Sequence, residues 1–320
     1  MRQAGRYLPE YREVRKGITF MEMCRDVERA VTVSLQPIDL VGSEAVILFQ
    51  DIFTPIPALG IDVDFAPGPT IAKPIRTREQ VDGLRTPDPR ADVPFVFEIL
   101  RRLRREIDPR GIPLLGFGGA PFTLAAYLTE GGGSRDFSLL KRMMLREREL
   151  LHDLLDQLEA MTIEYLNAQI EAGAHAVQLF DTWAGLLSPA DYREWVLPSH
   201  KRIAAGLNRT DAAMILYVNN GAHVVDCMAE SGADVISLDW RVDLATAARD
   251  FGSQVSLQGN LDPCALAAPR DELIERVRVM AEAASPARGH VLNLGHGCLI
   301  DTPVEGVRTF TDAARALAPA

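Results

Sequence analysis

Long apolar runs are missing from this 320-residue chain. Stretches such as "AVILF" and "PLLGF" fall far short of the ~20 residues a membrane-spanning helix needs, so no transmembrane segment is expected. Cysteine is scarce: Cys24, Cys227, Cys264 and Cys298 are scattered without a C-x-x-C pair. That excludes a disulfide framework and points to reduced thiols in the cytoplasm. Positive charge is short as well, with a net charge of -10 that argues against a nucleic-acid partner. No G-x-G-x-x-G turn, G-K-[ST] ending, H-E-x-x-H pair or G-x-S-x-G elbow occurs, so dinucleotide, P-loop, zinc-protease and serine-hydrolase readings lose their support. Low-complexity linkers, fixed-period repeats and a defensible domain boundary are also lacking, and residues 1–320 read as one domain.

What is present begins with "MRQAGRYLPEYREVRKG". Its first sixteen residues hold five cations, Arg2, Arg6, Arg12, Arg15 and Lys16, against Glu10 and Glu13. The local charge is +3, and the remainder of the chain therefore carries -13. A solvated basic face is the plain explanation of such a run; a pocket that recruits a small polyanion is the functional one. Arginine suits the second, because its planar fork matches both oxygens of a carboxylate and keeps its charge. If the segment is helical, Arg2 and Arg6, four apart, share a face. An arginine-rich transit peptide fits poorly, since Pro9, Glu10 and Glu13 interrupt the run.

An apolar content of 47% gives the chain enough material for a large core. Seven β-rich runs each end in a polar or glycine residue: "AVILFQD" at Asp51, "IPLLGFGG" at Gly119, "AVQLFD" at Asp181, "MILYVNN" at Asn220, "VISLD" at Asp239, "VSLQGN" at Asn260 and "HVLNLGH" at His296. Helix-patterned segments separate them at 96–107, 138–171, 189–206, 222–231, 271–284 and 303–317. The alternation predicts a parallel α/β sheet, and polar residues at so many strand ends favour a (β/α)₈ TIM barrel, whose catalytic groups gather on that rim. A barrel needs an eighth strand. It is expected either at the very start, where Met1-Arg2-Gln3 reads as the tail of a truncated first strand, or in a loop.

Individual residues then compete between two roles. Asp51 closes the strongest apolar run and reads as a helix cap or ion-pair partner, or else as a carboxylate that stabilises a cation formed during reaction; Asp181 and Asp239 allow the same reading with less force. "GFGGAPFTLAAYLTEGGGSRDF" puts Tyr127 on a short helix from near Pro121 to Gly131, followed by a glycine loop that either covers a pocket or merely connects. His296 lies in "NLGHG" between glycines that let a ligand approach the backbone. His296-Gly297-Cys298 has the spacing of a metal ligand pair, but nothing nearby completes a site, and no metal is expected.

Taken in order, "MRQAGRYLPEYR", "ILFQDIF", "GFGGAPFTLAAYLTEGGGS", "VQLFDTWAGLLSP", "LQGNLDP" and "LNLGHG" carry a resemblance. From Met1 to about Val307 the chain resembles the uroporphyrinogen decarboxylase family. The resemblance implies a (β/α)₈ barrel, a homodimer, and loss of carbon dioxide from the four acetates of uroporphyrinogen III to give coproporphyrinogen III without a cofactor. It also implies that Arg2, Gln3, Arg6 and Arg15 line the pocket, that Asp51 faces the pyrrole N–H groups, and that Tyr127, Thr182 and His296 occupy other pocket positions. Asp51, Arg2 and Tyr127 are the expected catalytic residues, with Arg2 orienting the acetate and aiding proton delivery. Thr182 stands where related sequences often have serine.

Family members usually carry a helix and the first strand ahead of "MRQAGR", so Met1 is expected to be an internal methionine of a longer chain. Two other functions compete. Zinc-dependent methyltransferases acting on corrinoid or thiol partners share the barrel but want an H-x-C pair after the fifth strand, where this chain reads "LYVNNGAH". A tetrapyrrole binder without turnover would use the same arginines.

Overall fold

All seven polar-ended runs form strands in the computed structural model, which describes residues 4–65 and 68–317. Nine strands occur among the described residues: β1 (Val46–Ile47), β2 (Val63–Phe65), β3 (Pro69–Ile71), β4 (Leu114–Gly119), β5 (Ala176–Asp181), β6 (Ala213–Val218), β7 (Val235–Ser237), β8 (Ser256–Leu261) and β9 (His290–Leu294). Seven pair in parallel in the order β1-β4-β5-β6-β7-β8-β9, while β2 and β3 make a separate antiparallel hairpin. The central strands are covered on both faces, which is why β6 reads as the unbroken run "AMILYV".

The sheet is curled. Gln258 of β8 donates to Gln178 of β5 (3.2 Å), and Tyr217 of β6 donates to the Gly295 carbonyl just after β9 (3.1 Å), each across two intervening strands. In a flat sheet such positions would stand about 14 Å apart. The two outer strands are also drawn towards each other through their helices. Arg308 and Thr311, on helix Val304–Ala316, donate to the Leu40 and Val41 carbonyls at the end of helix Val27–Val41 (2.9 and 2.5 Å). Among the described residues β1 and β9 are the outermost strands of the sheet.

Most helices follow their apolar faces. Helix Pro94–Ile107 buries Val96, Phe97, Ile99, Leu100, Leu103 and Ile107 and turns its arginines outward. Two segments expected as continuous helices are each broken. Residues 138–171 divide at Glu147, whose φ and ψ of -127° and 50° leave the helical region. Residues 189–206 divide at Val196, two residues before Pro198, whose ring nitrogen has no hydrogen to continue the ladder.

The amino-terminal region departs further from expectation. Residues 4–8 form turns and bends, and the first helix begins only at Pro9, so no helical turn sets the direction of Arg6. Helices Phe20–Arg25 and Val27–Val41 follow, each opened by a side-chain cap, Thr19 and Asp26. None of the helices among the described residues is long and apolar enough to cross a membrane.

Candidate active site

Because the sheet strands are parallel, residues that follow them gather on one rim. Asp51 comes four residues after β1, Tyr127 lies on helix Pro121–Glu130 just after β4, Thr182 directly follows β5, and His296 comes two residues after β9. The four positions named from the sequence therefore share a face of the molecule.

Asp51 sits in a tightly bonded turn. Its Oδ1 accepts the Phe53 N–H (3.0 Å), its own N–H donates to Thr54 Oγ1 (3.3 Å), and its carbonyl accepts the Thr54 N–H (3.1 Å). The preceding Gln50 is buried and holds the turn from behind, accepting from Thr54 Oγ1 (3.0 Å) and donating to the Cys24 carbonyl (2.6 Å). The carboxylate itself is half-buried on a rigid base.

Tyr127 stands in an aromatic wall. Its ring meets Phe53 at 5.1 Å, Trp183 at 5.8 Å and Phe137 at 6.0 Å between centroids, all edge-to-face. Burial lifts its phenol above the ordinary value; the Trp183 indole beside it works the other way, and the Asp51 charge adds to the rise. The Trp183 Nε1 is buried without a hydrogen-bond partner among the described residues.

From Phe53 the wall continues through Phe65 and Phe20, over which the Arg15 guanidinium lies 5.7 Å from the ring centroid. Arg15 is half-buried and Arg6 is exposed, with the Arg6 carbonyl accepting from Arg12 (3.0 Å). The neighbouring Tyr7 is buried, and burial first, then Cys298, holds its phenol above the ordinary value. Arg2 and Gln3 lie outside the described residues.

His296 is exposed and contacts the rings of Tyr217 (6.4 Å) and Trp240 (6.2 Å). Thr182 is half-buried between Asp181 and Trp183.

Two carboxylates expected as weaker candidates have other duties. Asp181 is fully buried and accepts from Thr123 Oγ1 (2.6 Å) and His200 Nε2 (2.9 Å). Asp239, also fully buried, accepts the N–H groups of Gly221 (2.9 Å) and Arg241 (2.8 Å). Asp181 thus ties two side chains together, and Asp239 two backbone N–H groups. The glycine loop is anchored too: the Gly131 carbonyl accepts the Ile71 N–H (3.0 Å), Gly132 bridges to Thr70, and the buried Phe137 ring packs on Trp183 at 4.6 Å. Phe137, Trp183, Trp240 and Arg241 were not singled out from the sequence. Their signal was position alone, since Trp183 and Trp240 each directly follow a polar residue at or just beyond a strand end.

Comparison with known proteins bears on the fold and the family. Among solved structures, a methyltransferase from Methanosarcina mazei superposes with a TM-score of 0.81 at 21% identity, covering 95% of this chain and 90% of that one. A B12-independent methionine synthase from Shewanella sp. W3-18-1 gives 0.59 at 14% identity, over 92% of this chain and 89% of that one. At those identities the likeness is one of fold alone. Sequence relatives are much nearer: a uroporphyrinogen decarboxylase from Pelobacter propionicus is 49% identical and one from Trichlorobacter lovleyi 44%, each over 317 residues, covering 99% of this chain and 93% of the relative. The profile described as Uroporphyrinogen decarboxylase (URO-D) matches residues 1–317, and the chain belongs to that family.

Proposed function

We propose that this chain is a carboxy-lyase that decarboxylates the four acetate side chains of uroporphyrinogen III, giving coproporphyrinogen III in porphyrin biosynthesis. The observation that carries this reading is Asp51: a carboxylate fixed by its own turn at a strand end, against an aromatic wall that reaches Arg15.

The chemistry follows from the pyrrole. Protonation at the ring carbon next to nitrogen makes a cationic iminium system. The electrons of the bond between the acetate methylene and its carboxylate flow into that cation as carbon dioxide departs. A second proton on the methylene carbon gives the methyl group, and the first proton then leaves the ring carbon to restore the pyrrole, so each acetate consumes one net proton and releases one carbon dioxide. The ring is its own electron sink, and the reaction needs no external cofactor. Asp51 opposes the cation and favours it over the neutral ring, which is the condition for catalysis as distinct from binding. One preorganised charge of this kind is worth ~3–4 kcal/mol.

Arg6, Arg15, Thr182 and His296 take the role of holding carboxylates around the macrocycle, with the Tyr127 hydroxyl and the unpartnered Trp183 indole N–H as further donors. Arg2 and Gln3 keep the pocket role read from the sequence, Arg2 also orienting the reacting acetate. The same reading includes a complete (β/α)₈ barrel, supported by the curled seven-stranded sheet. A homodimer in the cytoplasm belongs to it as well, and analytical ultracentrifugation tests the dimer.

The methyltransferase alternative is not favoured. After β6 the chain offers His223 without an H-x-C partner, and its Nε2 is engaged with the Leu187 carbonyl (2.8 Å). Anaerobic incubation with uroporphyrinogen III, followed by chromatography of the hepta- to tetracarboxylate products, tests the proposal. Turnover by the wild type that disappears in Asp51→Ala is expected. Binding of the tetrapyrrole with no product would leave a binder in place of the enzyme.

A further inference from the structure

We propose that Arg241, held on the face of Trp240, is a further carboxylate-binding residue at a separate point of this rim, taking one peripheral side chain of a polycarboxylate substrate. The identity of that substrate rests on the decarboxylase reading; the placement of the cation does not.

The segment "SLDWRVD", 237–243, follows β7, four strands from β1 along the sheet. Its backbone is clamped from three neighbouring strands. Asp239, the buried carboxylate, ties the Arg241 N–H to the Gly221 N–H after β6. Asn260 of β8 donates to the Asp239 and Val242 carbonyls, both at 2.9 Å. After β9, Gly295 lies so close that a Cβ there would come within 2.3 Å of the Trp240 nitrogen. Trp240 and Arg241 are therefore presented by a rigid loop, as a preorganised site requires.

The side chains continue that order. The Arg241 guanidinium carbon lies 3.8 Å from the Trp240 ring centroid, and the other contact of that ring is edge-to-face with His296. Stacking fixes the plane of the fork and leaves its N–H edge available. The stacked pair stands beside His296, so Arg241 belongs to the same rim as the residues named above.

A solvated surface arginine is the ordinary alternative, and its neighbours argue against it. Exposed arginines of this acidic chain are mostly engaged by carboxylates, as Arg193 is by Asp226 and Glu230, and Arg90 by Glu164 and Glu171. The Arg241 guanidinium makes no hydrogen bond to any described residue. Its one ion-pair contact is loose, 3.6 Å from Asp239, whose oxygens already accept two backbone donors. The side chain is 46% exposed, so its donors are wetted and ready to exchange water for an anion. The basic segment reaches the rim near β1, its Arg15 lying over Phe20 on the aromatic wall that starts at Phe53. Arg241, on the loop after β7 four strands away along the sheet, adds a cation at a separate point of that rim.

The test compares wild type, Arg241→Gln, Arg241→Lys and Trp240→Leu, using turnover of uroporphyrinogen III and fluorescence titration with oxidised uroporphyrin, which cannot be decarboxylated. Loss of a charge-assisted hydrogen bond is expected to raise KM and Kd about tenfold in Arg241→Gln, with kcat within about twofold. The gap should narrow in 0.5 M salt, because the contact is exposed. Arg241→Lys and Trp240→Leu should fall between, each keeping only part of the oriented fork. Wild-type values of KM, Kd and salt dependence in Arg241→Gln would overturn the assignment, as would a loss confined to kcat. If Arg241→Gln melts early, the Arg241→Lys series against salt decides in its place. Tight porphyrin binding that depends on Arg241, with no turnover by the wild type, would sink the decarboxylase reading and leave this one standing. Normal turnover with no Arg241 effect would do the reverse.

Discussion

At the scale of single residues, Asp51 has two duties that substitution can separate. Its Oδ1 closes the turn on the Phe53 N–H, while its charge is assigned to the reacting ring. Asn keeps an oxygen acceptor and removes only the charge. Asp51→Asn is expected to lose at least ~100-fold in kcat, the cost of one preorganised group, while melting within about 2 °C of the wild type. Asp51→Ala should match that loss and also unfold more easily, by about 1 kcal/mol for the abandoned N–H. Parallel kinetics and melting curves check both, and a fully active Asp51→Asn would remove the electrostatic role. Tyr127→Phe leaves the ring contacts with Phe53, Phe137 and Trp183 in place. It should therefore melt normally but lose about tenfold in kcat/KM, the price of one hydroxyl donor to a charged group. The phenol is held above its ordinary value, so it stays protonated and donating across the neutral range, and activity should show no limb from Tyr127 below about pH 10.

At the scale of elements, the buried Thr123–Asp181–His200 chain joins helix Pro121–Glu130 to β5 and to helix Leu197–Gly206. Thr123 Oγ1 also accepts the Trp183 N–H (3.0 Å), so the same bonds set the loop that carries Thr182 and Trp183. Thr123→Val fills the space but strands a buried carboxylate oxygen and that N–H. It is expected to destabilise by about 2–3 kcal/mol in denaturant unfolding and to raise KM through the displaced loop. Unchanged stability would show that the network is dispensable. The sequence made Asp181 visible only as a polar residue at a strand end, which a buried organiser and a catalytic group share. The seven sheet strands were legible because burial on both faces leaves continuous β-rich runs between polar ends. The hairpin of β2 and β3 was not, for three-residue strands with the pattern "VDF" and "PTI" carry no period to read. Helix Val27–Val41 was not legible although Asp26 caps it and Gly42 ends it in the left-handed region, because Pro37 lies inside it and breaks the helical pattern. Trp183 and Trp240 were passed over because a lone tryptophan reads as core until its partners are known.

At the scale of the whole molecule, burial of weak acids dictates how stability responds to alkali. Tyr7, Tyr165, Tyr192 and Tyr217 are all held above the ordinary tyrosine value, and Cys24 above the ordinary thiol value, in each case first by burial. A raised folded pKa means that the native state keeps its proton where the unfolded chain has released it. The stability from these groups is complete below the unfolded values, 10.0 for the phenols and 9.0 for the thiol, and is lost as pH rises through the folded ones. Each adds a slope of about -1.4 kcal/mol per pH unit in that window. Thermal unfolding should therefore show a plateau up to about pH 9 and a steep fall beyond pH 10. Tyr165 isolates one contributor. Its hydroxyl is buried without a hydrogen-bond partner among the described residues, so Tyr165→Phe removes a desolvated donor along with the titrating proton. The variant is expected to be about 1 kcal/mol more stable at pH 7 and to fall less steeply above pH 10 by one proton's slope. Equal stability at pH 7 with an unchanged alkaline slope would mean that this hydroxyl is hydrated or paired in solution.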